Sequence, residues 1–164
     1  MNLIKGLVAG ALAGAAASWV MERFQEQWVL REGNAGETPG NMGSLGREPS
    51  TMKAADAVAQ AVTGAPVPAE RRELAGEAMH YATGAGVGGL YGILAEVAPG
   101  PSFLLGGVYG AAVAIGGDEM IVPALGLSRP ARDVRPSEHA YNLASHLVYG
   151  LTLEGARRIL RVIL

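Results

Sequence analysis

The chain has 164 residues, of which 49% are apolar, with a net charge of −2, 24 glycines and no cysteine. That length fits one domain, the near-neutral charge offers no global attraction to nucleic acid, and the absence of thiols excludes disulfides, cysteine catalysis and cysteine metal sites. A glycine inside a water-exposed helix costs about 1 kcal/mol relative to alanine, so a soluble domain this rich in glycine should be loop-rich or all-β, and the spacing of the glycines excludes both.

The first predicted element is a transmembrane helix over residues 4–22. A step of four keeps residues on one helix face, and here it picks out Gly6, Gly10, Gly14, Ser18 and Glu22. Lys5, the apolar run after it and Ala15-Ala16-Ala17 also resemble a secretory signal; the segment is read as a retained span, with Trp19 and Trp28 suited to one membrane interface. Residues 25–77 form a polar region. Its first half, EGNAGETPGNMGSLGREPS, reads as irregular loop. STMKAADAVAQAVTG then reads as a short amphipathic helix, started by Ser50 or Thr51 and stopped by Gly64. Its face of Met52, Ala55, Val58, Ala59 and Val62 suits either the membrane surface or packing on its own domain. Pro66 and Pro68 break the chain, and Pro68 suits the first turn of the next long helix.

That helix is predicted over 78–98, with the stripe His80, Gly84, Gly88, Gly92 and Glu96. A tight hairpin, Ala98-Pro99-Gly100-Pro101, leads to a third span over 102–122, striped by Gly106, Gly110, Ala114 and Asp118. After a loop carrying Arg129, Arg132 and Arg135, the last span covers 138–160, with Asn142, His146, Gly150 and Glu154 four apart. Stripes of small residues let helices approach closely in a bilayer, where hydrophobicity gives no reward for association. The expected fold class is therefore all-α: a single integral membrane domain, a four-helix transmembrane bundle of Gly-rich, close-packed helices. Gly84, Gly88, Gly92, Gly106, Gly110 and Gly150 serve as its packing residues. A span needs about 20 mostly apolar residues. The uncharged run over 97–117 holds 21, but only 15 residues separate His80 from Glu96 and 14 separate His139 from Glu154, lengths that also fit the buried helices of a soluble bundle.

Gly84, Gly86 and Gly89 satisfy G-x-G-x-x-G, the dinucleotide fingerprint. The context does not fit: the motif follows the helix-forming AGEAMHYAT instead of a strand, and Glu96 comes only seven residues after Gly89. Helix packing accounts for the same glycines, and neither nucleotide nor nucleic acid is expected as a partner. The expected partners are the lipid bilayer and a further copy of the chain.

Ionisable groups inside a membrane are costly and usually pair or serve a pathway. The candidates are His80, Glu96, Asp118, Glu119, His139, His146 and Glu154, of which His80, Asp118, Glu119, His146 and Glu154 form the expected intramembrane polar cluster. Asp118 and Glu119 are adjacent, leave a helix in different directions and need separate partners. Three readings fit the set. The first is interhelical hydrogen bonding, with His80 or His146 against Asp118 or Glu119 and with Arg157 or Arg158 neutralising Glu154. The second is a divalent-metal site drawn from His80, Asp118, Glu119 and His146. The third is a proton or ion relay. No catalytic residue and no cofactor is expected, since Ser145 precedes His146 without a G-x-S-x-G elbow. Nine Lys and Arg flank the side of the first and third loops against four on the other. The positive-inside bias then places those two loops in the cytoplasm, although the basic cluster at Arg157, Arg158 and Arg161 pulls the other way.

HYATGAGVGGLYGILAE, GGDEMIVPALGLS and EHAYNLASHLVYGLTLEGARR together resemble the YagU-like family of bacterial inner-membrane proteins, a domain of unknown function. The likeness covers roughly residues 78–160 and is sharpest in SHLVYGLTLEGARR, where His146, Tyr149, Glu154, Arg157 and Arg158 match the family's last helix. The resemblance implies a multi-pass inner-membrane location and, loosely, tolerance of acid, with no reaction or ligand. The expected function is that of a non-enzymatic membrane protein with a structural or stress-adaptive role. The alternatives are a proton, ion or divalent-metal conduit using His80, Asp118, Glu119 and His146, and a soluble binding module.

Overall fold

A computed structural model describes residues 1–31, 48–98 and 104–164, and the described residues are helical without a strand. The elements are α1 (Leu3–Arg31), α2 (Ser50–Thr63), a 3-10 turn (Ala69–Arg71), α3 (Arg72–Val97), α4, a second 3-10 turn (Ala131–Asp133) and α5 (Pro136–Ile163). Helix α4 is one rod over Leu104–Ala124, α-helical at its start and π-helical across Ala114–Ile121. The expected glycine-rich loop over 32–47 and the 99–101 hairpin lie outside the described residues.

Several expected boundaries move. Helix α1 runs nine residues past Glu22, because Glu, Arg and Gln are good helix formers and Arg23 pairs with Glu26 one turn on at 2.8 Å. Residues 25–31, expected as polar loop, are therefore helix. Helix α3 starts at Arg72 instead of 78, α4 reaches Ala124, and α5 spans 136–163 instead of 138–160. At α1, α3 and α5 the onset of polar residues does not end the hydrogen-bonded backbone. The N-cap of α2 is Pro49, with no side-chain cap, so neither Ser50 nor Thr51 plays that part. Gly64 ends α2 in the left-handed region at φ 78°, its N–H returning to the Gln60 carbonyl. Pro68 precedes the 3-10 turn and not α3 itself.

The glycine stripes lie at helix contacts. A methyl group on Gly10 would stand 2.2 Å from the Gly88 carbonyl oxygen, one on Gly14 2.3 Å from that of Gly84, and one on Gly92 2.0 Å from that of Gly6. The partners step in opposite directions along the chain, so α1 and α3 are antiparallel, backbone against backbone. The same arrangement joins α4 to α5. Gly106 meets the Gly150 carbonyl at 2.3 Å, Gly110 meets that of His146 at 2.1 Å, and Gly150 meets that of Gly106 at 2.0 Å. Helix α1 also packs on α5, where Trp28 meets Tyr141 edge-on at 5.8 Å between ring centroids. One end of the bundle, the loop end, therefore carries the C-terminus of α1 and the starts of α3 and α5.

Where backbones touch, small residues line the contact. The buried apolar residues of the long helices are Ala9, Ala13, Ala17 and Ala114 together with Met21, Val29, Tyr91, Tyr141, Tyr149 and Leu153, and Ser18, Glu138, Ser145, His146 and Glu154 are also buried. Many other large apolar side chains face outward, with Leu12, Leu90, Val108 and Ile115 all more than half exposed. Helix α2 lies across the start of α3. Met52 covers Gly76, Asp56 accepts the Val67 N–H at 3.0 Å, and Arg72 bridges Asp56 and Glu48.

Candidate functional site

The buried polar groups fall into two sets at opposite ends of the bundle. At the far end, Glu154 is 1% exposed and lies one turn before two arginines on the same helix. Arg157 donates to both its oxygens at 2.7 and 3.1 Å, and Arg158 donates to Oε1 at 2.6 Å. Arg157 also stands 5.8 Å from the centre of the Tyr91 ring. A turn further out, Glu96 accepts from Arg161 at 2.5 Å and from the Asn2 N–H at 2.8 Å, tying α3 to α5 and to the start of α1. A buried carboxylate with this many charge-assisted donors is held as an anion and has no free lone pair aimed at a ligand.

The loop-end set is less closed. The π-helical segment of α4 presents its two adjacent carboxylates in different directions. Glu119 accepts from His139 Nδ1 at 2.6 Å, while His139 Nε2 faces the Ala131 carbonyl at 3.1 Å. Both ring nitrogens thus face acceptors, which only the charged ring serves with two donors. Asp118 stands 3.6 Å from His146 Nε2, and its side chain is 45% exposed. His146 Nδ1 pairs with the Asn142 carbonyl at 3.0 Å on its own helix. His80 is within electrostatic range of Asp118, and its ring packs edge-on against Tyr81 at 5.6 Å.

The residues proposed from sequence therefore divide. Asp118, His146 and His80 gather at one level of the bundle, Glu119 turns away to His139, and Glu154 belongs to the other end. Among the described residues no three His, Asp or Glu side chains are placed to hold a metal ion. The Ser145 hydroxyl makes no hydrogen bond, so it forms no nucleophile–base pair with His146. Other contacts went unread in the sequence. Tyr81 donates to Glu22 at 2.7 Å and Tyr149 to the Gly84 carbonyl at 2.6 Å, while Arg129 and Arg135 flank the buried Glu138 at 2.9 and 2.6 Å. The first had a signal: Glu22 extends the α1 stripe just where the antiparallel α3 ladder continues toward Tyr81. Pairings across α3, α4 and α5 that depend on tyrosine reach had none.

No family model, no curated protein and no solved structure matches this chain.

Proposed function

We propose that this chain is a small multi-pass protein of the bacterial inner membrane, non-enzymatic, with a structural or stress-adaptive role. Helices α1, α3, α4 and α5 would be its four spans. The observation that carries the reading is the distribution of side chains: Gly, Ala, Ser and paired charges take much of the interior beside a few large residues, while most Leu, Val and Ile of the long helices lie outside. Water-soluble domains bury large apolar residues and solvate charges; a bilayer favours close backbones and internal polar pairs. Two helices, Leu3–Leu30 and Leu104–Ala124, are long and apolar enough to cross a membrane. Helices α3 and α5 are more polar, and Glu96, His146, Glu154, Arg157 and Arg161 among their ionisable groups have partners within the bundle. The resemblance of residues 78–160 to the YagU-like family supports the same reading.

The chain has no cysteine, so single cysteines test it without a background to remove. The expected result is that the protein stays with membranes in alkaline carbonate and that cysteines at Gly64 and Leu127 are labelled from one side of the membrane, with one at Asn2 labelled from the other. Extraction by carbonate, or purification without detergent, would overturn the membrane reading in favour of a soluble bundle.

A proton or ion conduit is the second reading. It is favoured by the open loop-end set, where Asp118 and His146 are 3.6 Å apart and not closed into a direct hydrogen bond. A pH-dependent flux in proteoliposomes that His146→Ala abolishes would support it; lost thermal stability in that variant with no flux in either protein would support the structural role.

A further inference from the structure

Four buried side-chain polar atoms among the described residues lack a hydrogen-bond partner, and three belong to the bundle interior: Ser18 Oγ, His80 Nε2 and Ser145 Oγ. They come from three helices, α1, α3 and α5. Ser18 seats its hydroxyl on the backbone of Gly84, where a methyl group would stand 1.9 Å from it. Helices α3 and α5 are parallel, and Tyr149 reaches Gly84 with the same sequence offset of 65 by which Arg161 reaches Glu96. That register sets His80 level with Ser145. Gly84 lies four residues beyond His80, about 6 Å along the axis, so the three atoms fall within roughly one turn of the core.

Ser18 is 1% and Ser145 0% exposed, so bulk solvent reaches neither hydroxyl. A buried hydroxyl without a partner is destabilising, and alanine, already abundant in these helices, would fit both positions without that penalty. The retained groups match one ligand chemistry. Hydroxyls donate and accept, and a neutral imidazole nitrogen does one or the other, which complements water; buried waters are held by about three such groups. A metal cation is poorly served, since hydroxyls and one imidazole are weak ligands without carboxylates and among the described residues no three His, Asp or Glu side chains are placed to hold one. On the loop-end side lies Asp118, 3.6 Å from His146 Nε2, with its side chain 45% exposed. On the far side the region is closed by the Tyr149–Gly84 hydrogen bond and by Ala13, Ala17 and Leu153, each 0% exposed.

We propose that Ser18, His80 and Ser145 bind internal water, joined to the exterior past Asp118 and stopped at Tyr149. The bundle then contains a hydrated recess that enters from the loop end and has no exit at the other. This goes beyond the structural reading above, requires that the exposed edge of Asp118 meets water at the loop end, and, with the recess closed at Tyr149, stands against the conduit reading.

The test uses the full chain in lipid nanodiscs with histidine ring nitrogens labelled. The expected result is magnetisation transfer from water to the His80 ring in the wild type, lost in the Ser18→Ala/Ser145→Ala double variant and kept in Ser137→Ala. Each single serine variant should lower the melting temperature by about 2–4 °C, with the double variant falling short of the sum because both contact the same water. Serine variants that melt at the same or a higher temperature, together with a water-silent His80 in the wild type, would overturn the proposal. So would a wild-type melting temperature that rises in sodium or potassium chloride but not in choline chloride, which would assign the recess to a cation. The wild-type measurement decides the matter even if a variant fails to fold.

Discussion

Gly86 and Gly88 are two residues apart on α3 and face opposite conditions. Nothing lies within 4 Å of a methyl group on Gly86, whereas one on Gly88 would stand 2.5 Å from the Gly10 carbonyl oxygen and 2.7 Å from the Gly14 Cα. Gly86→Ala should therefore hold or raise stability, gaining up to about 1 kcal/mol of helix propensity. Gly88→Ala should cost about 1–3 kcal/mol, because two backbones must separate. Thermal unfolding of both variants in the same detergent checks the pair. Glu154 allows a second prediction at this scale. Glu154→Gln leaves the largely buried Arg157 and the part-exposed Arg158 beside a neutral group and should cost about 3 kcal/mol, the low end for a buried pair, while adding Arg157→Met should recover part of the loss; chemical denaturation of the three proteins measures it. At this scale the glycine stripes were legible, since a step of four is visible in one dimension. The partners of the ionisable residues were less so. Glu119 could have been matched with any of three histidines, and only the turn of the π-helical segment directs it to His139.

The π-helical stretch Ala114–Ile121 is the element whose geometry the sequence hid. Its composition, AIGGDEMI, resembles ordinary apolar helix with two glycines. A π-helical turn amounts to one extra residue in an α-helix and tends to occur at functional positions. Inserting one alanine after Gly116, which has open space around it, should turn Asp118 and Glu119 together by about 100° relative to the turns before them. The expected outcome is loss of the His139–Glu119 contact, read as a changed histidine ring spectrum, with the Glu154 cluster unaffected. Helix ends were poorly legible for a related reason. The ladders marked which faces meet, but α1 continues through polar residues to Arg31 because backbone propensity outlasts hydropathy. Helix α2 was legible from its apolar face and Gly64. Its anchorage was not, because Asp56 reaches Val67 and Arg72 across a turn. Asp56→Ala should release α2 from α3 and speed proteolysis between residues 48 and 71 at least several-fold, with the long helices left intact.

For the molecule as a whole, the sequence showed that the chain is helical and that its glycines sit where rods cross, and the structure has both features. It did not show which charged residues are inside, since hydropathy averages a helix over all its faces. Helix α5 carries His146, Glu154 and Arg157 inward while Ile159, Val162 and Ile163 face outward. An average over its length hides that division, which is why only α1 and α4 read as spans by apolarity alone.

The seam between α1 and α3 also constrains how the molecule is made. Gly14 finds its counterpart at Gly84, and the two halves of that seam are separated by the whole of α2 and its flanking segments. During synthesis the first rod must wait, its carbonyls and bare α-carbons unmatched, until the third has emerged. Neither half has side chains with which to improvise a substitute contact. Assembly therefore depends on keeping the first rod unengaged during that delay. A ribosome stalled before residue 84 should leave α1 open to pairing with a foreign small-residue helix, and one stalled only after the whole of α3 has left its exit tunnel should not.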